Sequence, residues 1–280
     1  MSSVSGKVAA ITGAGSGIGR ALALELARRG ARLALSDVDE AGLGETVDQV
    51  KQLGAEVTAT RLDVTDRDAV TAWAAATVEH FGVAHQIYNN AGIAFSRSVL
   101  DSDWADYERV LGVNLFGVIH GTKAFLPHLL ASGDGHVINI SSLNGFLAQD
   151  GMSHYCTSKF AVRGFTETLR IELTKAGSPV LVTVVHPGGV RTKIADNAFE
   201  AAAALGLPVT AEDRKRRDVY NDKLLRMDPA EAATIVLDGV EAGRPRVLVG
   251  NDAKLVDVVV RLLPARYQKL SLALERRLDR

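Results

Sequence analysis

The stretch TGAGSGIG, residues 12–19, follows the apolar run KVAAIT at 7–12 and precedes RALALELARRG at 20–30. A buried strand, a glycine turn and an amphipathic helix in that order bring backbone N–H groups to a helix N-terminus. There the helix dipole favours an anion such as a pyrophosphate. The spacing G-x-G-x-x-G fits in no register; Gly13, Gly17 and Gly19 follow G-x-x-x-G-x-G instead. The next apolar run, ARLALSD at 31–37, ends on Asp37. A carboxylate at the end of a second strand accepts bonds from the adenosine ribose hydroxyls of a dinucleotide and repels a 2′-phosphate. Ser16 and Val38 offer no cation to such a phosphate, so NAD is expected rather than NADP, held at Gly13, Ser16, Gly17, Ile18, Gly19 and Asp37. Asp37 as the N-cap of the following helix is an alternative compatible with that role.

Further short aliphatic runs lie at 55–62, 85–89, 136–141, 179–186 and 246–250, with helical patterns near 39–53, 67–81, 104–131, 154–176 and 229–242 between them. Strands buried on both faces read as continuous apolar runs, and strict alternation with helices implies right-handed crossovers. The expected fold is α/β: a single Rossmann-type, doubly wound parallel sheet of about seven strands flanked by helices. Residues 1–250 make the dinucleotide-binding and catalytic domain. Within it, 190–228 carries helical patches without a clear strand and is expected to form a lid. Residues 251–280 form a helical extension divided at Pro264. Asp63 and Val64, and Asn90, Ala91 and Gly92 in NNAG, sit at strand carboxyl ends, where ligands of such sheets bind; each is also ordinary turn chemistry.

With 280 residues, 47% apolar content and 26 glycines, the chain suits one large α/β domain. A formal net charge of −1 argues against nucleic acid as a partner. One cysteine, Cys156, allows no internal disulfide, and no Cys/His cluster has metal-ligand spacing. A reducing compartment, the cytoplasm, and no metal are therefore expected. The N-terminal apolar run is short and broken by glycines, unlike a secretory signal, and no stretch approaches the roughly 20 apolar residues of a membrane span.

In SHYCTSK, 153–159, Tyr155 and Lys159 are four residues apart on an expected helix, hence on one face. A phenol of pKa about 10 needs a depression of a few units to act as a base near neutrality. A lysine cation at about 4 Å supplies roughly 4 kcal/mol at an effective dielectric of 20, before its own desolvation is counted. The pair read alone is equally a structural contact.

Taken together, TGAGSGIG, Asp63-Val64, NNAG at 89, Asn114 in VNLFG, Ser141-Ser142, YCTSK and PGGVRT at 187 resemble the short-chain dehydrogenase/reductase family, in its branch of roughly 250 residues, over about residues 5–250. The resemblance implies hydride transfer between a nicotinamide and an alcohol or carbonyl carbon. It implies Tyr155 as acid/base and Ser142, by its spacing to Tyr155, as the hydroxyl that holds the substrate oxygen, with Ser141 the alternative. Lys159 binds the nicotinamide ribose and lowers the tyrosine pKa, and Asn114 holds a relay water, or is simply a satisfied buried amide. Pro187, Gly188, Val190 and Thr192 resemble the segment that meets the carboxamide. It also implies a homodimer or homotetramer built on the helices at 104–131 and 154–176.

Candidate pocket walls are Ile93, Phe95, Asn144, Phe146, Met152, Gly189 and Phe199, mostly apolar, which points to a hydrophobic alcohol or carbonyl substrate. His154 is expected to be a bystander. Arg214 to Arg217 read as a solvated helix face. The tail from Arg261 to Arg280 carries six basic and two acidic residues among its leucines. It suits packing on this chain or a second subunit, with peripheral contact to a membrane as the other reading.

Overall fold

The computed structural model describes residues 3–204, 214–215, 217–218, 221 and 224–278. Seven parallel strands form one sheet: β1 (Val8–Thr12), β2 (Arg32–Asp37), β3 (Val57–Arg61), β4 (Gln86–Asn89), β5 (His136–Ile140), β6 (Leu181–Pro187) and β7 (Arg246–Val249). Their order is β3-β2-β1-β4-β5-β6-β7. The order reverses between β1 and β4, so a crevice opens at the carboxyl ends of these two strands.

Each crossover carries a helix: α1 (Gly17–Arg28), α2 (Glu40–Gln52), α3 (Arg67–Phe81), α4 (Trp104–Leu111), α5 (Gly117–Ser132), α6 (Ser153–Lys175), α7 (Ile194–Ala204) and α8 (Pro229–Glu241). Successive strand residues point to opposite faces. Ala9, Ile11, Leu33 and Leu35 pack with Leu22, Leu26, Val236 and Leu237 of α1 and α8 on one face. Val8, Ala10 and Ile87 pack with Trp73, Phe125, Leu129 and Leu169 on the other. Aspartates start four of the helices. Asp66 caps α3, Asp103 forms a capping box with Asp106 at α4, and Asp228 precedes Pro229 of α8. The cap of α2 is Asp39, which accepts from Ala41 N and Gly42 N, so the capping role considered for Asp37 falls two residues on.

The helical pattern at 104–131 is not one continuous α-helix. A π-helical turn, Gly112–Phe116, separates α4 from α5 and holds Asn114 at its centre. A wider turn re-aims one side chain out of the α-helical row, and such turns cluster at functional sites. An 18-residue window within Trp104–Ser132 has a mean hydropathy of 1.2, enough by length and composition to cross a membrane. Val118, Phe125 and Leu129 of this stretch are buried within the protein, as in a core helix.

Within the expected lid, α7 and a bridge between Val190 and Met227 are formed. Of the lid expected at 190–228, residues 205–213, Arg216 of the basic run, 219–220 and 222–223 lie outside the described residues, as do the last two residues of the tail. Beyond β7 come α9 (Asn251–Leu262) and α10 (Tyr267–Leu278), broken around Pro264.

Candidate active site

The glycine turn joins β1 to α1 at the point where the sheet reverses, and close backbone contacts shape it. Gly13 has φ +69°, and a Cβ there would lie 2.8 Å from Ala91 Cα. A Cβ on Gly19 would stand 1.9 Å from Gly13 O and 2.5 Å from Asn90 Nδ2. Thr12 Oγ1 accepts from both Asn90 N and Ala91 N at 3.0 Å, and Asn90 Nδ2 donates to the carbonyls of Thr12 and Gly13 at 3.0 and 3.1 Å. The ends of β1 and β4 are thereby stitched together. Asp37 Oδ2 accepts from Gly15 N at 2.7 Å and Oδ1 from Asp39 N at 2.9 Å. A carboxylate offers about four acceptor sites, so capacity remains for a ligand's hydroxyls.

A cavity of about 1650 Å³ runs from this turn across the sheet ends. It is lined by Gly13, Ser16, Gly17, Ile18 and Asp37, by Asp63, Val64, Asn90, Ala91 and Gly92, by Ser142, Tyr155 and Lys159, and by Pro187, Gly188, Val190 and Thr192. Two sequence-predicted residues stand behind the surface. Gly19 lies beneath the turn, and Asn114 lies behind Gly92, where a Cβ would approach Asn114 Oδ1 at 3.3 Å and Lys159 Nζ at 3.4 Å. Asn89 turns inward, donating to Thr122 Oγ1 and Asn139 Oδ1 at 3.0 and 2.8 Å.

Alternation at the end of β5 separates the two serines. Ser141 Oγ donates to Lys159 O at 2.8 Å inside the protein, whereas Ser142 Oγ accepts from Asn144 N at 3.1 Å and pairs with the Tyr155 phenol. Lys159, 4% exposed, donates from Nζ to Ile140 O at 3.1 Å, and Nζ is 5.6 Å from the centre of the Tyr155 ring. Asn114 is satisfied by its neighbours. Its Oδ1 accepts from Ile93 N at 2.8 Å, and its Nδ2 donates to Ile93 O at 2.9 Å and to Ser158 Oγ at 3.2 Å.

Burial of both groups outweighs the depression of the phenol expected from Lys159. Burial pushes Tyr155 up to about 12, with the Ser142 hydrogen bond acting in the opposite sense, and burial brings Lys159 down to about 8. Both ionised forms lose water here, and that loss outweighs a cation directed at Ile140 O. At neutral pH the phenol keeps its proton.

Of the expected walls, Ile93, Phe95, Asn144, Met152, Gly189 and Phe199 line the cavity. Phe146 does not: it is buried against His186 and Arg246, at 5.0 and 5.2 Å. His154 is buried between the Phe95 and Tyr107 rings. The basic run is not purely a solvated face, since Lys215 and Arg217 line the cavity, with the Arg217 guanidinium 5.3 Å from the Phe199 ring. Two contributions had no clear signal in the sequence. Arg20 braces the glycine turn through Gly15 O at 2.5 Å and Glu45 at 2.8 Å. Asp252, which accepts from Gly189 N at 2.6 Å, joins Leu255, Val256, Gln268, Ser271 and Leu272 in the cavity lining.

A sequence model of the short chain dehydrogenase family matches residues 7–203. A Mycobacterium tuberculosis protein called putative oxidoreductase SadH is 53% identical over 271 residues, spanning 96% of this chain and 95% of its own. Among solved structures, a short chain dehydrogenase/reductase from Burkholderia phymatum in complex with NAD aligns with a TM-score of 0.85 at 34% identity, over 98% of this chain and 97% of that one. Carveol dehydrogenase from Mycobacterium avium in complex with NAD aligns at 0.77 and 26% identity, over 91% of this chain and 100% of the other.

Proposed function

The chain belongs to the short-chain dehydrogenase/reductase family, and from that premise we propose that it transfers a hydride between NAD(H) and a hydrophobic secondary alcohol or ketone. The observation that carries this reading is one cavity shared by the glycine turn, Asp37, Ser142, Tyr155 and Lys159. Its 1650 Å³ exceeds the roughly 300–1,000 Å³ of a pocket for one drug-sized ligand, leaving room for a dinucleotide and a second molecule. The residues fit the dinucleotide. The glycine turn leaves backbone uncovered at the N-terminus of α1, Asp37 keeps acceptor capacity for ribose hydroxyls, and its neighbours Ser16 and Val38 carry no cation for a 2′-phosphate. The solved relatives in complex with NAD support the same choice.

The dinucleotide, held at the glycine turn and Asp37, would supply the hydride for a carbonyl carbon or take one up from an alcohol carbon. Ser142 Oγ and the Tyr155 hydroxyl hold the substrate oxygen, with Ser142 steadying the charge that develops there. In reduction the neutral phenol gives its proton to that oxygen; in alcohol oxidation the phenolate takes it back. Lys159, protonated below about pH 8, stabilises the phenolate and binds the nicotinamide ribose. Asn114 Oδ1, behind Gly92, accepts one bond from Ile93 N and keeps a second lone pair for the water that returns the proton. Phe116, Phe160 and Ile171 are exposed on the long helices and suit self-association.

The test is a fluorescence titration with NADH and NADPH side by side, followed by turnover of apolar ketones and alcohols. Tight NADH binding, weaker NADPH binding and turnover are expected. Binding without turnover on a broad panel would contradict the enzyme reading, and no binding would contradict the cofactor assignment.

A further inference from the structure

Two elements that the chemistry above does not use, α9 and α10, face the same cavity. Leu255 and Val256 of α9 and Gln268, Ser271 and Leu272 of α10 line it. On α10 the three residues are spaced i, i+3 and i+4, which is one helix face. Both helices are tied to loops that border the chemistry. Asp252, in the first turn of α9, holds Gly189 N after β6. Tyr267, the first residue of α10, is buried, and its hydroxyl accepts from Ala148 N at 3.4 Å in the segment that leaves Ser142. Ala195, Ala198 and Phe199 of α7 line the cavity as well.

Leu255 and Leu272 are 65% and 48% exposed although they border a cavity with an apolar lining. Leucines in such a position gain from an occupant that takes them out of water. The cavity is continuous with Tyr155 and Ser142, so the occupant with access to both ends is a substrate whose reacting carbon sits at the tyrosine and whose apolar body extends outward. A purely polar metabolite would leave these leucines wet. Gln268 and Ser271 on the same face add hydrogen-bonding capacity for a polar group some way along that body.

We propose that α9 and α10 form the outer wall of a subsite for the extended apolar chain of the alcohol or ketone, so that the C-terminal extension selects substrates by length; this rests on the oxidoreductase reading above. The probes are methyl ketones of increasing alkyl length, from acetone to methyl undecyl ketone. Their binding is measured calorimetrically with NAD⁺ present, which cannot reduce them, and their turnover separately with NADH. In the wild type, affinity should rise about fourfold per added methylene among the longer members. Leu255→Asp and Leu272→Asp should flatten this rise below about twofold per methylene. Leu262→Asp, at an exposed leucine of α9 that does not line the cavity, should leave the rise intact. All three leucines are exposed, so folding is not at stake.

A length dependence that survives both cavity-facing substitutions, or that Leu262→Asp removes equally, would overturn the subsite and leave the oxidoreductase reading standing. Loss of the dependence in a protein that binds the ketones but reduces none would overturn the oxidoreductase reading and leave the subsite. Absence of ketone binding altogether would overturn both.

Discussion

At the inner end of the cavity a single methyl on Gly19 would stand 1.9 Å from Gly13 O, and Thr12 Oγ1 already receives two backbone N–H groups. At the outer end Leu255 and Leu272 stay largely exposed on helices added after the last strand. The inner end is built from backbone and short polar side chains whose partners are in place before any ligand arrives, so its geometry tolerates little change. The outer end is built from side chains on α7, α9 and α10, where one residue can be exchanged without disturbing the sheet. The contrast separates what the reaction requires from what the substrate requires: inner changes should alter turnover, cofactor affinity or folding, and outer changes should alter selectivity alone.

Three substitutions and one pH profile at the inner end test that division, from the largest expected effect downward. Ser142→Ala should lower turnover about a hundredfold to a thousandfold with NADH affinity unchanged, because only the hydroxyl facing the developing oxyanion is lost. Steady-state kinetics beside a binding titration check it; retained turnover would remove Ser142 from that role. Gly19→Ala should cost about 3 kcal/mol of stability in denaturant unfolding, since the added methyl meets backbone rather than a flexible chain end. An unchanged midpoint would mean the turn is looser than its contacts indicate. Ketone reduction should be level below about pH 8 and then fall about tenfold per unit as Lys159 loses its proton and with it the charge that stabilises the phenolate. A profile level to pH 10 would remove Lys159 from that role. Asp37→Ala should weaken NADH about tenfold and narrow its advantage over NADPH, and untouched selectivity would place ribose recognition elsewhere.

Most of the inner end was legible in the sequence. Strands of a parallel sheet are buried on both faces and so appear as unbroken apolar runs, and the glycines of residues 12–19 mark a place where a Cβ would collide. The outer end was not. The leucines of α9 and α10 follow a helical period, but periodicity says that a face is apolar without saying what covers it. The π-helical turn at Asn114 was hidden as well, because it lies inside a long helical pattern and no residue type in Gly112–Phe116 distinguishes a π-turn from an α-turn. Two differences have local causes. Phe146 is expected as a pocket wall, yet after the short turn at Leu143–Gly145 it points towards His186 and Arg246. The tyrosine and lysine spacing carries the charge effect but not the desolvation of both groups, which dominates here.

Tyr155→Phe tests the central claim most directly, since it removes one hydroxyl and keeps the ring that packs at the cavity floor. NADH affinity and ketone reduction should be measured on the same preparation. The account predicts wild-type NADH affinity with reduction lowered about a hundredfold to ten-thousandfold. Reduction at the wild-type rate would contradict it.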